Sequence, residues 1–255
     1  MAAVKPKREI GVRKTRARET RRRMLAAARK LFAENGYVAT TMAAIADEAG
    51  VAVQTVHFTF HTKADLLQEL IRVVSAGEDD PKPVMDREWA QQAVAAADPQ
   101  RSLALMAEYG TEIFRRMAPL RKAIETAASV DPDVDALWRS IGVARRGGMK
   151  RILAAIHTNG DLDPKLSLDR AADIASVIHS HETFLGLTAT AGWSVEEYKV
   201  WSYETLCDQL LVRRPGKRRA SRRTSAAGLS FQRLISMGLL QAGRRSAATV
   251  QNAPV

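Results

Sequence analysis

The chain has 255 residues, 46% of them hydrophobic, 26% charged and 5% aromatic, which suits one or two globular domains with a sizeable core. Its net charge of +11 is unevenly spread: residues 1–30 hold twelve Lys/Arg against two acids, residues 213–255 hold ten Lys/Arg and no acid, and the stretch between is acidic. The lone Cys207 excludes an intrachain disulfide and a cysteine-built zinc site, and no apolar run approaches the roughly eighteen residues of a membrane span. A charged start from Lys5, without a signal-type apolar stretch, leads us to expect a cytoplasmic protein with no membrane partner. The two basic ends make nucleic acid or another acidic surface the first partner to test.

In chain order, nearly every periodic segment reads as helix. Over 18–35, Met24, Leu25, Ala28, Leu31 and Phe32 recur at spacings of three and four, and Asn35-Gly36 supplies a left-handed stop. Thr41 reads as an N-cap before Met42, Ile45, Ala46 and Ala49, and Gly50 closes that short helix. A third helix fits from Val53 to about Phe58 or Thr59. Thr62, with Asp65 three residues on, forms a capping-box variant for a fourth helix bearing Leu66, Leu67, Leu70, Ile71 and Val74.

Residues 77–83 combine breakers and charge without large apolar side chains, so a domain boundary is expected there. Beyond it, Asp98-Pro99 and Asp131-Pro132 are N-cap-plus-proline openings of two long helices, and Pro119 restarts a shorter one between them. Ser167 opens another helix, expected to run unbroken to about Ala191. Ser194 with Glu197 is a capping box for the last, ending near Val212. From Arg213 the composition turns to Arg and Ser and reads as a basic disordered tail, with a marginal amphipathic segment at 229–240. No alternating strand pattern and no internal repeat is visible.

Two short helices joined by Gly50-Val51-Ala52 have the dimensions of a helix-turn-helix, and the helix over 18–35 can cover them. Such a unit delivers a short helix into a major groove about 12 Å wide. The runs Arg23-Met24-Leu25, Leu31-Phe32, Gly36-Tyr37, Thr40-Thr41, Ile45-Ala46, Ala49-Gly50-Val51, Thr55-Val56, Phe60 and Thr62-Lys63 closely resemble the DNA-binding domain of TetR-family transcriptional regulators over about residues 18–72. That resemblance implies an all-α fold: a three-helix helix-turn-helix DNA-binding domain (18–76, motif about 42–61) after a basic N-terminal arm (1–17), then a larger helical ligand-binding and dimerisation domain (84–212), and the tail 213–255. It further implies a non-enzymatic homodimer on a palindromic double-stranded DNA operator, repressing by occupancy and released by a small apolar or amphipathic effector, with no cofactor. The rival readings are a sequence-independent architectural DNA-binding protein and a helical small-molecule-binding domain without a regulatory role.

Three positions depart from the family. His57 stands where tyrosine is usual, Gln54 where glycine is frequent, and Ala52 replaces the serine cap, a loss of about 1 kcal/mol. The DNA-binding candidates are Thr41, Val53, Gln54, Thr55, His57 and Lys63. An amide such as Gln54 pairs bidentately with adenine, Val53 suits a thymine methyl, and Thr55 and His57 suit phosphate or base contacts. Thr41 and Lys63 sit at helix N-termini, where free N–H groups attract phosphate, and the basic run from Arg13 to Arg23 suits the DNA backbone or minor groove.

For the effector, polar residues on apolar faces are the candidates: Tyr109, Trp138, His179 and Glu182, with Met106, Phe114, Met149 and Phe184 as wall. On one continuous helix His179 and His181 would point about 200° apart, which argues against a shared metal. Gly147-Gly148 inside a long helix suggests close helix approach or ligand room. Dimerisation is expected on a face built from Ile174, Ile178, His181, Leu185 and Thr188 together with Tyr198, Trp201, Leu206, Leu210 and Leu211.

Overall fold

A computed structural model describes the backbone of residues 7–77 and 82–212, with side chains from Lys14 onward. The tail segment at 229–240 lies outside the described residues. Among the described residues all regular structure is helical: α1 (Lys7–Ala39), α2 (Met42–Ala49), α3 (Val53–Phe60), α4 (Lys63–Ala76), α5 (Glu88–Ala95), α6 (Pro99–Met117), α7 (Arg121–Val130), α8 (Pro132–Thr158), α9 (Leu168–Ile178), α10 (His181–Leu185) and α11 (Val195–Leu210). Short 3₁₀ turns precede α5 and α7, and a π-helical turn, Gly186–Thr190, follows α10. The described residues divide into two compact units, one of residues 7–77 with 116–143, the other of residues 82–115 with 144–212. The segment 116–143 thus packs with the N-terminal helices, although it follows the 77–83 boundary in sequence.

In the first unit the caps fall where the sequence placed them. Thr41 accepts from the Ala44 N–H at 3.0 Å, and Gly50, at φ 64°, closes α2 with its N–H on the Asp47 carbonyl while Val51 N–H bonds Ala46. The Thr62–Asp65 capping box is formed in both directions. Ala52 provides no side-chain cap to α3, as its missing hydroxyl dictates. Gly36, at φ 76° and ψ 174°, breaks the long N-terminal helix at the expected stop, but that helix begins at Lys7, well before residue 18. The core is the inward stripe of each helix: Met24, Phe32, Ile45, Val56, Leu66 and Leu70, joined by Leu120 and Ile124, are all essentially inaccessible.

The second unit is alanine-rich where its helices meet. Ala104, Ala107, Ala171, Ala172 and Ala175 pack with Leu103, Met149, Leu153 and Leu206 in one cluster. Gly148 belongs to the close approaches, since a Cβ there would lie 3.1 Å from the Met85 sulfur, whereas Gly147 faces open space. After α11 the chain pairs with the loop after α8, Asp163 N–H donating to the Leu210 carbonyl and Val212 N–H to that of Asp161. Helix α5 was not singled out in the sequence, and its N-cap Arg87 makes no side-chain cap hydrogen bond.

Two expectations for this unit need correction. The helix from Ser167 is not continuous to Ala191: it breaks at His179 (φ −105°, ψ 73°), and Ser180 caps a new helix by accepting from the Thr183 N–H at 3.0 Å. Side chains hold the freed carbonyls, Arg145 donating to Ser176 and His179 and the Thr183 hydroxyl to Val177. Nor do Tyr198, Leu206 and Leu210 form a surface for a second copy, because each is fully buried within the chain.

Candidate nucleic-acid interface and effector site

Helices α2 and α3 with the turn Gly50–Ala52 form the helix-turn-helix. Val56 and Phe60 anchor α3 in the core, at 0% and 3% exposure, and this fixes the outward face. Gln54 and His57 are exposed on it, Val53 and Thr55 half-buried at its rim, and Thr41 exposed at the start of α2. The Thr55 carbonyl accepts from the Thr59 hydroxyl at 2.7 Å, and the His57 ring lies 3.4 Å from the His61 carbonyl. Arg21 on α1 pairs with Glu69 at 2.6 Å and lies over the Phe60 ring, so it packs inside the unit.

Lys63 stands apart from the other candidates. Its ammonium donates to the carbonyls of Tyr37 and Thr40 at 2.9 and 3.0 Å and lies 4.2 Å from the centre of the Tyr37 ring. Tyr37 Oη in turn donates to Asp131 at 2.7 Å, tying α1 to the N-terminus of α8 within the unit. Partial burial lowers the Lys63 pKa, Asp131 opposing it; burial raises that of the Tyr37 phenol, with the bond to Asp131 adding to the rise; and that bond holds the Asp131 carboxyl below its usual range. Two of the three Lys63 donors therefore stitch the α1–α2 junction.

Phe58 went unnoticed in the sequence. Its neighbours Val56 and Phe60 face inward, whereas Phe58 is 86% exposed beside Gln54 and His57. The signal was available in the period: in an α-helix whose residues 56 and 60 are core, residue 58 points away from it.

The four effector candidates do not fall in one unit. Trp138 lies in the first, its ring 4.6 Å from the guanidinium of the buried Arg121. In the second unit, Tyr109 stacks on Trp89 with ring centroids 5.2 Å apart, Glu182 is exposed, and His179 is buried. The His179 imidazole packs on Phe114 and Tyr198 at centroid distances of 4.8 and 6.1 Å, and Phe114 also meets His181 and Phe184. A Cβ on Gly110 would lie 2.1 Å from His179 Nε2, so the glycine is what admits the ring. Neither ring nitrogen has a hydrogen bond of normal geometry. Burial, reinforced by Arg145 and His181 and opposed by the Met106 backbone, lowers the His179 pKa to about 3, so the ring is neutral at physiological pH. Of the expected wall, Met106, Phe114, Met149 and Phe184 are all buried.

A glycine-turned pair of short helices, the second anchored in the core by Val56 and Phe60 and presenting Gln54, His57 and Phe58 outward, defines a helix-turn-helix DNA-binding module. Residues 24–70, the segment that holds the helix-turn-helix, match the sequence model of the tetR family of bacterial regulatory proteins. Among curated proteins none matches by sequence. The fold is shared with a protein of Saccharomonospora viridis, assigned as a transcriptional regulator and crystallised with choline (22% identity, 76% of this chain and 99% of that one, TM-score 0.61). It is shared also with NalD of Pseudomonas aeruginosa, the secondary repressor of the MexAB-OprM multidrug efflux pump (18%, 75% and 96%, TM-score 0.57). SmeT of Stenotrophomonas maltophilia, solved with triclosan, is similarly related (18%, 76% and 92%, TM-score 0.57).

Proposed function

We propose that the protein is a sequence-specific transcriptional regulator that binds a palindromic operator as a homodimer, represses by occupancy, and is released by a small apolar or amphipathic effector held in the second unit. The observation that carries this reading is the outward face of α3, projecting from a helix-turn-helix that matches the tetR family. In this reading Thr41, Val53, Gln54, Thr55 and His57 face the DNA. Lys63 holds the α1–α2 junction and brings its charge to the start of α4. The basic N-terminal run adds phosphate attraction that weakens with salt. The setting is cytoplasmic, in keeping with the absence, among the described residues, of a helix long and apolar enough to cross a membrane. We assign no catalytic step to the chain.

Effector release follows a population shift: a ligand that prefers one arrangement of the protein lowers the share of the other, whose paired recognition helices match successive grooves. The complexes of similar folds with choline and triclosan support a small ligand. Tyr109, His179 and Glu182 are its polar candidates; the Trp138 position is better explained by its cover of Arg121. Selection of duplexes from a random pool tests the reading. A two-fold-symmetric sequence bound far more tightly than its scrambled form is expected, and equal binding of the two overturns the proposal.

A further inference from the structure

At 86%, Phe58 is the most exposed large apolar side chain among the described residues, and it stands one helical turn beyond Gln54 on the same face of α3. A single exposed apolar residue on an ordinary surface carries no message. This one projects from the helix that the preceding reading delivers into the major groove. The sequence of α3, Val-Gln-Thr-Val-His-Phe-Thr-Phe, contains neither Lys nor Arg, the side chains that pair bidentately with guanine. Its outward face instead offers an amide, an imidazole and a phenyl ring. An amide fits the N6–H donor and N7 acceptor of adenine, and the exposed apolar group that the major groove presents is the 5-methyl of thymine. Both belong to an A·T pair.

We propose that Gln54 and Phe58 form one reading unit for A·T pairs, Gln54 pairing with adenine and the Phe58 ring packing on the methyl group of a thymine at that pair or the next. This rests on the DNA-binding reading above. The pair read by Gln54 and Phe58 is accordingly an A·T pair, and the bidentate Arg or Lys contacts to guanine common to other recognition helices are not made from α3.

The test uses the full chain and the duplex selected from the random pool. Each thymine of a half-site is replaced in turn by deoxyuridine, which removes the methyl and leaves the pairing edge unchanged. For the wild type, affinity falls about fourfold at the position Phe58 contacts, the loss that follows from one buried methyl. Phe58→Ala binds the thymine and deoxyuridine duplexes equally, Phe58→Leu keeps part of the difference, and Gln54→Ala relaxes the adenine preference but keeps the methyl effect. Because Phe58 is exposed, its variants retain the wild-type melting temperature, which confirms that the fold is intact. A selected half-site without an A·T pair, a wild type indifferent to deoxyuridine at every position, or an undiminished methyl effect in Phe58→Ala overturns the assignment while leaving operator binding standing. If no sequence is enriched, the DNA-binding reading itself fails.

Discussion

The two compact units differ in how their helices are ended. In the first, the ends of α2 and α4 carry local signals: Thr41 and Thr62 cap their starts, and Gly36, Gly50 and Gly77 take positive-φ conformations that let the chain turn. In the second, the decisive break, between α9 and α10, is set by residues far away in sequence. Gly110 on α6 makes room for His179, and Arg145 on α8 takes the carbonyls left free. Local caps thus set the ends of α2 and α4 in the first unit and the starts of α9 and α11 in the second, whereas the break at His179 depends on side-chain interlock.

Gly110→Ala is the strongest way to break that second kind of specification. The added Cβ would meet His179 Nε2 at 2.1 Å in a fully buried site, so the ring must leave its place or α6 must shift. Overpacking of this kind costs about 3 kcal/mol, and chemical denaturation should show it as a lowered midpoint. Adding His179→Ala should recover part of the loss, and simple additivity of the two substitutions would show that no such interlock exists.

Lys63→Met tests a long-range tie within the first unit. It keeps the apolar stem and removes two charge-assisted hydrogen bonds to the Tyr37 and Thr40 carbonyls, a loss of about 2 kcal/mol. Urea unfolding of the full chain measures it, and a midpoint equal to that of the wild type would return Lys63 to a purely DNA-facing role.

The interlock also carries a pH signature. His179 has its pKa lowered to about 3 by burial, against 6.5 for an ordinary histidine. Because the folded value is the lower one, the unfolded chain binds the extra proton. The contribution to stability is complete above about pH 6.5 and declines as the pH falls toward 3, by about 1.4 kcal/mol per unit within that window. In His179→Ala this part of the acid slope should vanish even though the protein is less stable throughout. An unchanged slope would place the acid sensitivity elsewhere.

What could be read from the sequence follows the same division. The helix-turn-helix, its caps and the outward polar residues of α3 were legible because each depends on neighbours within four positions. The break at His179 was not, since nothing near residues 179–180 announces it except Ser180, whose capping role appears only when the helix stops. Trp138 shares with Tyr109 and His179 the sequence signature of an amphipathic ring on an apolar face, yet it lies in the first unit against Arg121. Its partner, Arg121, lies seventeen positions earlier in the chain, and such pairings follow no period.

The smallest expected effect sharpens the contrast from inside the first unit. Among the described residues every positive-φ position but one is a glycine, and the exception is His61, between α3 and α4. At φ 51° and ψ −61°, with Thr62 N–H bonded to the Phe60 carbonyl, His61 is the centre of a γ-turn, a conformation that a side chain disfavours. Such a residue stores about 1–3 kcal/mol of strain, and glycine would relieve it while costing about 0.5–1 kcal/mol in unfolded-chain freedom. His61→Gly should therefore stabilise the protein by about 1 kcal/mol, raising its melting temperature by a few degrees. The imidazole is exposed, and the contact from His57 reaches only the backbone carbonyl, so no interaction specific to the ring is lost. The turn also fixes the angle at which α3 leaves α4. If the strain serves to hold that angle, the glycine variant will be more stable yet bind the selected operator less tightly, whereas a variant no more stable than the wild type would mean that the turn is unstrained.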